Sequence, residues 1–382
     1  MTAGILIHGD THRSAALRHE LPLGILDPFP YFEVDGRRVA VLSSLEAERV
    51  RAAAPGVEVI DPYELGLDDL LAQGLRWDEI DIELCARAAA HLGVERVVVP
   101  SGLGVGVADR LRADGIEVAP DEREFIRRRR SKNAAEVEGV RRAQAAADAA
   151  MGAAAEMLRA AERHDAKLHL GGEPLTAEAV RARIREACAE RGAPAAEDII
   201  VAGGAAGASG HEKGSGQLPA GAPIVIDIWP RDERSGCFAD MARTFVAGGE
   251  PAPDVARWHT LVRTALERVC EALAPGATGR DLFAIACEVF ERAGEPTQRT
   301  KGKGEVLENG FIYSLGHGVG LEVHEEPTLG LSGADPLVLG DVVAIEPSCY
   351  RKGYGGVCLE DLVLITDDGF ERLTDFRYDL TP

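Results

Sequence analysis

Four carboxylates stand inside otherwise apolar, strand-forming runs, and they constrain this chain more than its length of 382 residues does. Ile224-Val225-Ile226-Asp227-Ile228 and Cys237-Phe238-Ala239-Asp240-Met241 each read as a short buried strand holding one acid. The turn-like Arg231-Asp232-Glu233-Arg234-Ser235-Gly236 between them predicts a hairpin. Setting Asp227 opposite Asp240 centres that hairpin between Glu233 and Arg234, inside the turn. The pattern repeats near the C-terminus, where Glu346 and Glu360 are symmetric about Gly353 in the turn Arg351-Lys352-Gly353-Tyr354-Gly355. An ionised carboxylate in apolar surroundings is costly unless a cation or hydrogen bonds compensate it. Four acids in two facing pairs would repel one another strongly, so a multivalent cation between them is predicted.

An imidazole is available to join them. His317 lies in Gly316-His317-Gly318-Val319-Gly320, and histidine is the usual nitrogen ligand added to carboxylates at hydrolytic metal sites. His324 follows seven residues later. An odd separation on a regular strand points to opposite faces, so both rings reach one site only if Gly318 and Gly320 permit a bulge or loop.

Upstream, strands at 39–42, 57–60 and 97–99 alternate with helices near 45–54 and 80–92, an α/β pattern. Gly102, Gly104 and Gly106 fall one position short of a dinucleotide-binding turn and read as an ordinary loop. The texture changes at about residue 126, which predicts one domain over 1–125 and another over 126–382. A long Ala-rich helix opens the second, with Val137, Val140, Ala147, Met151 and Leu158 on one stripe and Asn133 with Glu136 as its cap. Further helices are marked at Thr176, Asp254 and Thr278, and strands at 224–228, 238–246, 342–345 and 357–365. The second domain is thus α+β, with strands returning as hairpins. No tandem repeat is present.

Composition excludes several function classes. With 46% hydrophobic and 27% charged residues the chain is built to fold. Its 42 Lys+Arg against 63 Asp+Glu give a net charge of -21, which disfavours nucleic acid as a partner. The one basic run, Arg127-Arg128-Arg129-Arg130 followed by Lys132, reads as a solvated helix entrance. Seven cysteines without a Cys-x-x-Cys pair suggest reduced thiols and a cytoplasmic protein. His8, Asp10, His12 and Arg13 interrupt the stretch where a signal peptide needs an apolar run, and no segment offers eighteen apolar residues, so neither export nor membrane spanning is expected.

Asp227, Asp240, His317, Glu346 and Glu360 resemble the five dinuclear metal ligands of the M24 metallopeptidases. Asp240-Met241-Ala242-Arg243-Thr244-Phe245 is similar to the family's Asp-x-x-Arg-Thr-Phe. Gly316-His317-Gly318-Val319-Gly320, His324-Glu325-Glu326-Pro327, Glu346-Pro347 and Glu360-Asp361 complete the set, over about residues 200 to 365. The resemblance implies a pita-bread, creatinase/aminopeptidase-like α+β catalytic domain over 126–382, and the α/β part before it resembles the creatinase/prolidase N-terminal domain. It implies a homodimer that hydrolyses Xaa-Pro bonds in small peptides, as a prolidase or an Xaa-Pro aminopeptidase. Two divalent ions are implied, with Mn suited by the oxygen-rich donors and Co, Zn or Fe permitted by the histidine. Glu346 would accept a proton from the attacking water, and His324 and His211 would donate hydrogen bonds to the substrate.

Two positions depart from the family pattern. Cys358 stands where relatives often carry arginine, two residues before the last glutamate, and Tyr313 stands where an Xaa-Pro aminopeptidase often has histidine. Both thereby become candidates for contact with the substrate. Two other functions stay open, a related C–N hydrolase of the creatinase or ectoine hydrolase kind acting on a small amide or amidine, and an inactive peptide-binding module. Retention of all five ligand positions argues against both.

Overall fold

The computed structural model describes residues 3–382, in two compact units that meet in sequence between Arg129 and Arg130. The first is α/β. Its strands are β1 (Ala3–Gly9), β2 (Phe29–Val34), β3 (Arg37–Val41), β4 (Val57–Ile60), β5 (Arg96–Val99) and β6 (Glu117–Pro120), in the order β4-β3-β2-β1-β5-β6. The pairs β1/β2 and β2/β3 are antiparallel and the rest parallel. Helices α1 (Ala15–Glu20), α2 (Ala47–Ala53), α3 (Leu67–Ala72), α4 (Trp77–His91), α5 (Val105–Ala113) and α6 (Glu122–Arg130) accompany them. Two apolar clusters form its core, one around Leu6, Phe32 and Leu84, the other around Ile7, Tyr31 and Phe125. Gly102 and Gly104 lie in the loop into α5, with Gly104 as its N-cap, and Gly106 lies in the first turn of the helix.

The second unit opens with α7 (Ala134–Ala160), whose capping box joins Asn133 and Glu136 through reciprocal bonds of 3.0 and 2.9 Å. The small strands β7 (Glu162–His164), β8 (Lys167–Leu170) and β9 (Glu173–Pro174) precede α8 (Ala177–Ala189), capped by Thr176. Then come β10 (Ile200–Gly203), β11 (Pro223–Ile228) and β12 (Met241–Val246), a three-stranded antiparallel sheet. Helices α9 (Pro253–Glu271) and α10 (Gly279–Arg292) follow. The remaining strands are β13 (Asn309–Gly310), β14 (Gly316–Gly318), β15 (Glu325–Leu329), β16 (Val342–Ile345), β17 (Ser348–Arg351), β18 (Gly355–Cys358), β19 (Asp361–Thr366) and β20 (Gly369–Arg372). They form one sheet ordered β13-β17-β18 and another ordered β15-β14-β16-β19-β20.

Helices α7 and α8 bury their apolar stripes with β11 and β12, through Met151, Leu158, Val180, Ile226 and Phe245. Helices α9 and α10 do the same with the five-stranded sheet, through Trp258, Phe283, Val343 and Val363. Each sheet therefore has one face packed on helices.

Several local expectations need correction. Helix α9 is capped at Ala252 with Pro253 in its first turn, so Asp254 lies inside the helix rather than at its cap. The strand expected over 357–365 is two strands, β18 and β19, in different sheets. The basic run is no solvated entrance. Arg127 is exposed, but Arg128 bonds Glu20 and Glu33, Arg130 bonds Asp341, and Lys132 is buried against Glu325.

Candidate metal centre

The first acid pair is carried by β11 and β12, but not in the expected register. Asp227 pairs with Ala242, and the hairpin is centred between Arg234 and Ser235, one residue later than the facing-acid arrangement requires. Turn chemistry sets the shift. The Asp232 carboxylate accepts from Ser235 N–H and Oγ, the Asp232 N–H donates to the Cys237 carbonyl, and Gly236 takes φ +80°. Asp240, just ahead of β12, is consequently a diagonal neighbour of Asp227 on the same face.

The second pair keeps the expected symmetry across two sheets. Ser348 pairs with Cys358 in one and Ile345 with Asp361 in the other, both registers centred on Gly353. Glu346 and Glu360 occupy the switch points between them. There the Glu346 N–H donates to the Leu315 carbonyl at 2.8 Å and the Glu360 N–H to the Ala242 carbonyl at 3.0 Å. Those two bonds tie the glutamates to the segments bearing His317 and the aspartates. Arg243, 1% exposed, adds bonds from Nη1 to the Ala242 and Glu360 carbonyls and from Nη2 to Asp361.

His317 lies on β14, and the pairing of β14 with β15 shifts register between Gly316 and Gly318. The bulge lets His324 turn back, and the two rings meet edge to face with centroids 4.3 Å apart. The Gly318 carbonyl can only accept, so His317 Nδ1 carries the proton in their 3.0 Å bond. Nε2 is then left as a lone-pair donor, 3.7 Å from Asp240 Oδ2 and 3.6 Å from Glu346 Oε1.

Three groups of side chains each bring one donor atom within 4.8 Å of the others: Asp227, Asp240 and Glu360; His317, Glu346 and Glu360; and Asp240, His317 and His324. The first two groups share Glu360. Burial raises all four carboxyls, Asp227 to about 7 and Glu346 to about 8, where Asp227 adds to the effect. Asp240 and Glu360 are also raised by burial and by the neighbouring acids. Burial holds His317 down at about 4, neutral at ordinary pH. Asp227 Oδ1 is buried without a hydrogen-bond partner. An orphaned carboxylate oxygen, crowded acids and a neutral imidazole lone pair together fit divalent cations as the missing partners.

A cavity of about 650 Å³ opens over this cluster. His211, Tyr313, His324 and Cys358 all line it, so every residue singled out in the sequence reaches one place. His211 packs on Tyr313 with ring centroids 5.5 Å apart, and Tyr313 on Tyr350 at 5.7 Å. Cys358 is buried in a small apolar patch with Val225 and Ala242. Burial lowers the His324 pKa, and His211 adds to the effect. Trp229, Lys213, Thr328 and Tyr350 also line the cavity and were not singled out, because they come from separate segments and carry no motif.

A model of metallopeptidase family M24 matches residues 138–367. The Xaa-Pro dipeptidase of Pyrococcus furiosus is 36% identical over 184 residues, 48% of this chain and 49% of that protein. The probable dipeptidase PepE of Mycobacterium tuberculosis is 33% identical over 202 residues, 53% of this chain and 50% of that protein. The chain spans about half the length of these curated relatives in the matched regions. A solved prolidase from Pyrococcus furiosus superposes with a TM-score of 0.75 at 25% identity, covering 98% of this chain and 96% of that one.

Proposed function

Because the chain belongs to metallopeptidase family M24 and has the two-domain, pita-bread architecture of its solved relatives, we propose that it is a dinuclear metal-dependent exopeptidase acting on Xaa-Pro bonds, foremost in dipeptides. The observation that carries this reading is the pair of donor groups sharing Glu360 beneath a cavity lined by His211 and His324. Asp227, Asp240 and Glu360 would hold one divalent ion and His317, Glu346 and Glu360 the other, with Asp240 close enough to serve both. Bound there, such ions lower the pKa of water and polarise a carbonyl oxygen. Mn suits the oxygen-rich donors, and Co, Zn or Fe the imidazole.

The chain's own groups supply the rest. Glu346 takes up the proton of the attacking water. His324, its pKa lowered by partial burial and by His211, offers an N–H to the carbonyl oxygen as negative charge develops, and His211 donates to the substrate backbone. Tyr313 and Tyr350 give aromatic walls against which a proline ring can pack. Cys358, Val225 and Ala242 give a small apolar surface beside the acids. Among the described lining residues Lys213 is the permanent cation, suited to a free C-terminal carboxylate, and this favours a dipeptide over a longer peptide. Seven free, buried cysteines support a reducing, cytoplasmic setting. A homodimer is proposed from the family resemblance.

The test is a panel of Xaa-Pro dipeptides, their C-terminal amides, Xaa-Pro-Yaa tripeptides and small cyclic amides, offered to the Mn-, Co-, Zn- and Fe-loaded protein. Free dipeptides should be turned over fastest. Turnover of a small amide with every peptide left intact would overturn the peptidase reading in favour of another C–N hydrolase. Light scattering on the same sample checks the dimer.

A further inference from the structure

One buried ion pair has no part in the chemistry above. Lys132 lies just ahead of α7, and Glu325 is the first residue of β15; their side chains are in contact and each is 3% exposed. Burying two charges this deeply is expensive, and an apolar pair of similar volume would join the same elements without that cost. The surroundings give the pair a use. Glu325 follows His324 directly, and consecutive residues entering a strand face opposite ways. The Glu325 side chain therefore runs back to Lys132 while the His324 ring runs forward into the cavity.

The loop between the two histidines rests on this pair. Gly318 pairs with Glu325, and the Gly320 N–H donates to the Glu322 carbonyl at 3.0 Å. A Cβ built on Gly320 would lie 2.6 Å from both Glu325 Oε1 and Lys132 Cε, so any larger residue there would push on the ion pair. The Phe238 N–H donates to the Gly320 carbonyl at 2.7 Å, tying the loop to the segment that leads into Asp240. The Lys132 N–H meanwhile donates to the Gly340 carbonyl, two residues before β16. Lys132 thus stands where the histidine loop, the approach to Asp240 and the approach to β16 converge.

We infer that Lys132 is a positioning residue which, through Glu325, holds His324 in its orientation over the metal centre. The inference rests on the peptidase reading for what His324 does to a substrate. The orientation itself can be observed without any substrate.

The experiment uses the full chain as K132M/E325Q, which removes both buried charges together and leaves neither stranded, in native and H324A backgrounds. In the native background kcat for an Xaa-Pro dipeptide should fall about 10- to 100-fold, as expected when a reacting group is displaced by about 1 Å. KM should stay within about threefold and metal content should not change. In the H324A background the same double substitution should cost less than about twofold, because a group that acts through His324 has nothing left to act on. An equal loss in both backgrounds, or native kcat in K132M/E325Q, overturns the proposal. A second readout is the His324 ring resonance of the histidine-labelled, zinc-loaded protein, identified by its absence in H324A. It should shift or split in K132M/E325Q, and an unchanged resonance overturns the proposal. If the unmodified protein cleaves no Xaa-Pro peptide, the peptidase reading fails while the resonance still decides the positioning role.

Discussion

The hairpin of β11 and β12 stays within one sheet, whereas the chain from β16 to β19 changes sheet at each of its two acids. In the first, a turn of Asp232, Ser235 and Gly236 fixes the register and leaves Asp227 and Asp240 diagonal. In the second, the register is centred on Gly353 on both sides of the switch, and Glu346 and Glu360 occupy the gaps where one ladder has stopped and the next has not begun. Three of the four acids thus stand off the ends of strands, where a carboxylate can converge on its neighbours without disturbing a ladder. Asp227 alone lies within a strand, and it has the orphaned oxygen. Convergence of the two acid pairs depends on the bonds between the hairpins, above all Glu360 N–H to Ala242 and Arg243 to Glu360.

The sharpest way to break the comparison is at the residue the two donor groups share. Glu360→Gln should abolish tight binding of both ions and lower kcat/KM by about 10³-fold or more. Asp227→Asn, which touches one group, should leave one ion per chain. Elemental analysis after exhaustive dialysis checks both. Equal stoichiometry in the two variants would mean that the pairs do not define separate positions.

Next comes the tie between the hairpins. Arg243→Met leaves the Glu360 and Ala242 carbonyls and the Asp361 carboxylate without their shared donor in a buried setting. A loss of about 2–4 kcal/mol is expected in denaturant unfolding, with kcat down about tenfold. Arg243→Lys should recover little of it, because an ammonium cannot reproduce the planar fork.

Much of this arrangement was legible in the sequence, for reasons that differ by residue. Asn133, Thr176 and Thr278 announced their helices because capping is local. Glu346 and Glu360 could be paired because their turn is symmetric. The partner of Asp227 lies two residues beyond the expected Asp240, because the closing contacts lie in side chains of the turn, not in the apolar alternation around it. Strand β2 is not among the strands expected from the sequence; it contains Pro30, which pairs with His8 of β1 beyond the last residue paired to β3, where its missing N–H costs no ladder bond to β3. Lys132 was read as solvated because nothing local in Arg-Ser-Lys-Asn points to a partner 193 positions away.

Acidity probes the crowding of the acids in the metal-free chain. Asp227 and Glu346, at about 7 and 8, sit above their unfolded values near 4, so the folded state holds protons that the unfolded state gives up. Their contribution is full below about pH 4 and is lost as pH rises through 7 and 8. His317 has the opposite sign. Held at about 4, below its unfolded value near 6.5, it contributes above 6.5 and loses that contribution as pH falls toward 4. Two carboxyls outweigh one imidazole, so these groups make the metal-free protein lose stability as pH rises from about 4, with Tm roughly 5 °C lower at pH 8.5 than at pH 6. The metal-loaded protein should show a flatter profile between pH 6.5 and 8.5, because bound cations stabilise the ionised carboxyls. Calorimetric scans of both forms decide it.

The smallest expected effect lies at Cys358, the last residue of β18 before the chain leaves for Glu360. Its side chain is 5% exposed, packs with Val225 and Ala242 at the cavity wall, and is raised well above the usual thiol range by burial and then by Glu346 and Glu360. A neutral thiol in an apolar patch is a small hydrophobe, not a competing ligand. Cys358→Ala and Cys358→Ser should therefore keep full metal content and change kcat by no more than about threefold, with Ser the worse for placing a hydroxyl in an apolar patch. Cys358→Arg differs in kind, since it brings a fixed cation and five donors beside the acids and fills space that Cys leaves open. It should reorder relative turnover across dipeptides, amides and tripeptides by about tenfold, favouring substrates with a free carboxylate. Loss of metal in Cys358→Ala would make the thiol a ligand, and an unchanged substrate ranking in Cys358→Arg would remove this wall of the cavity from specificity.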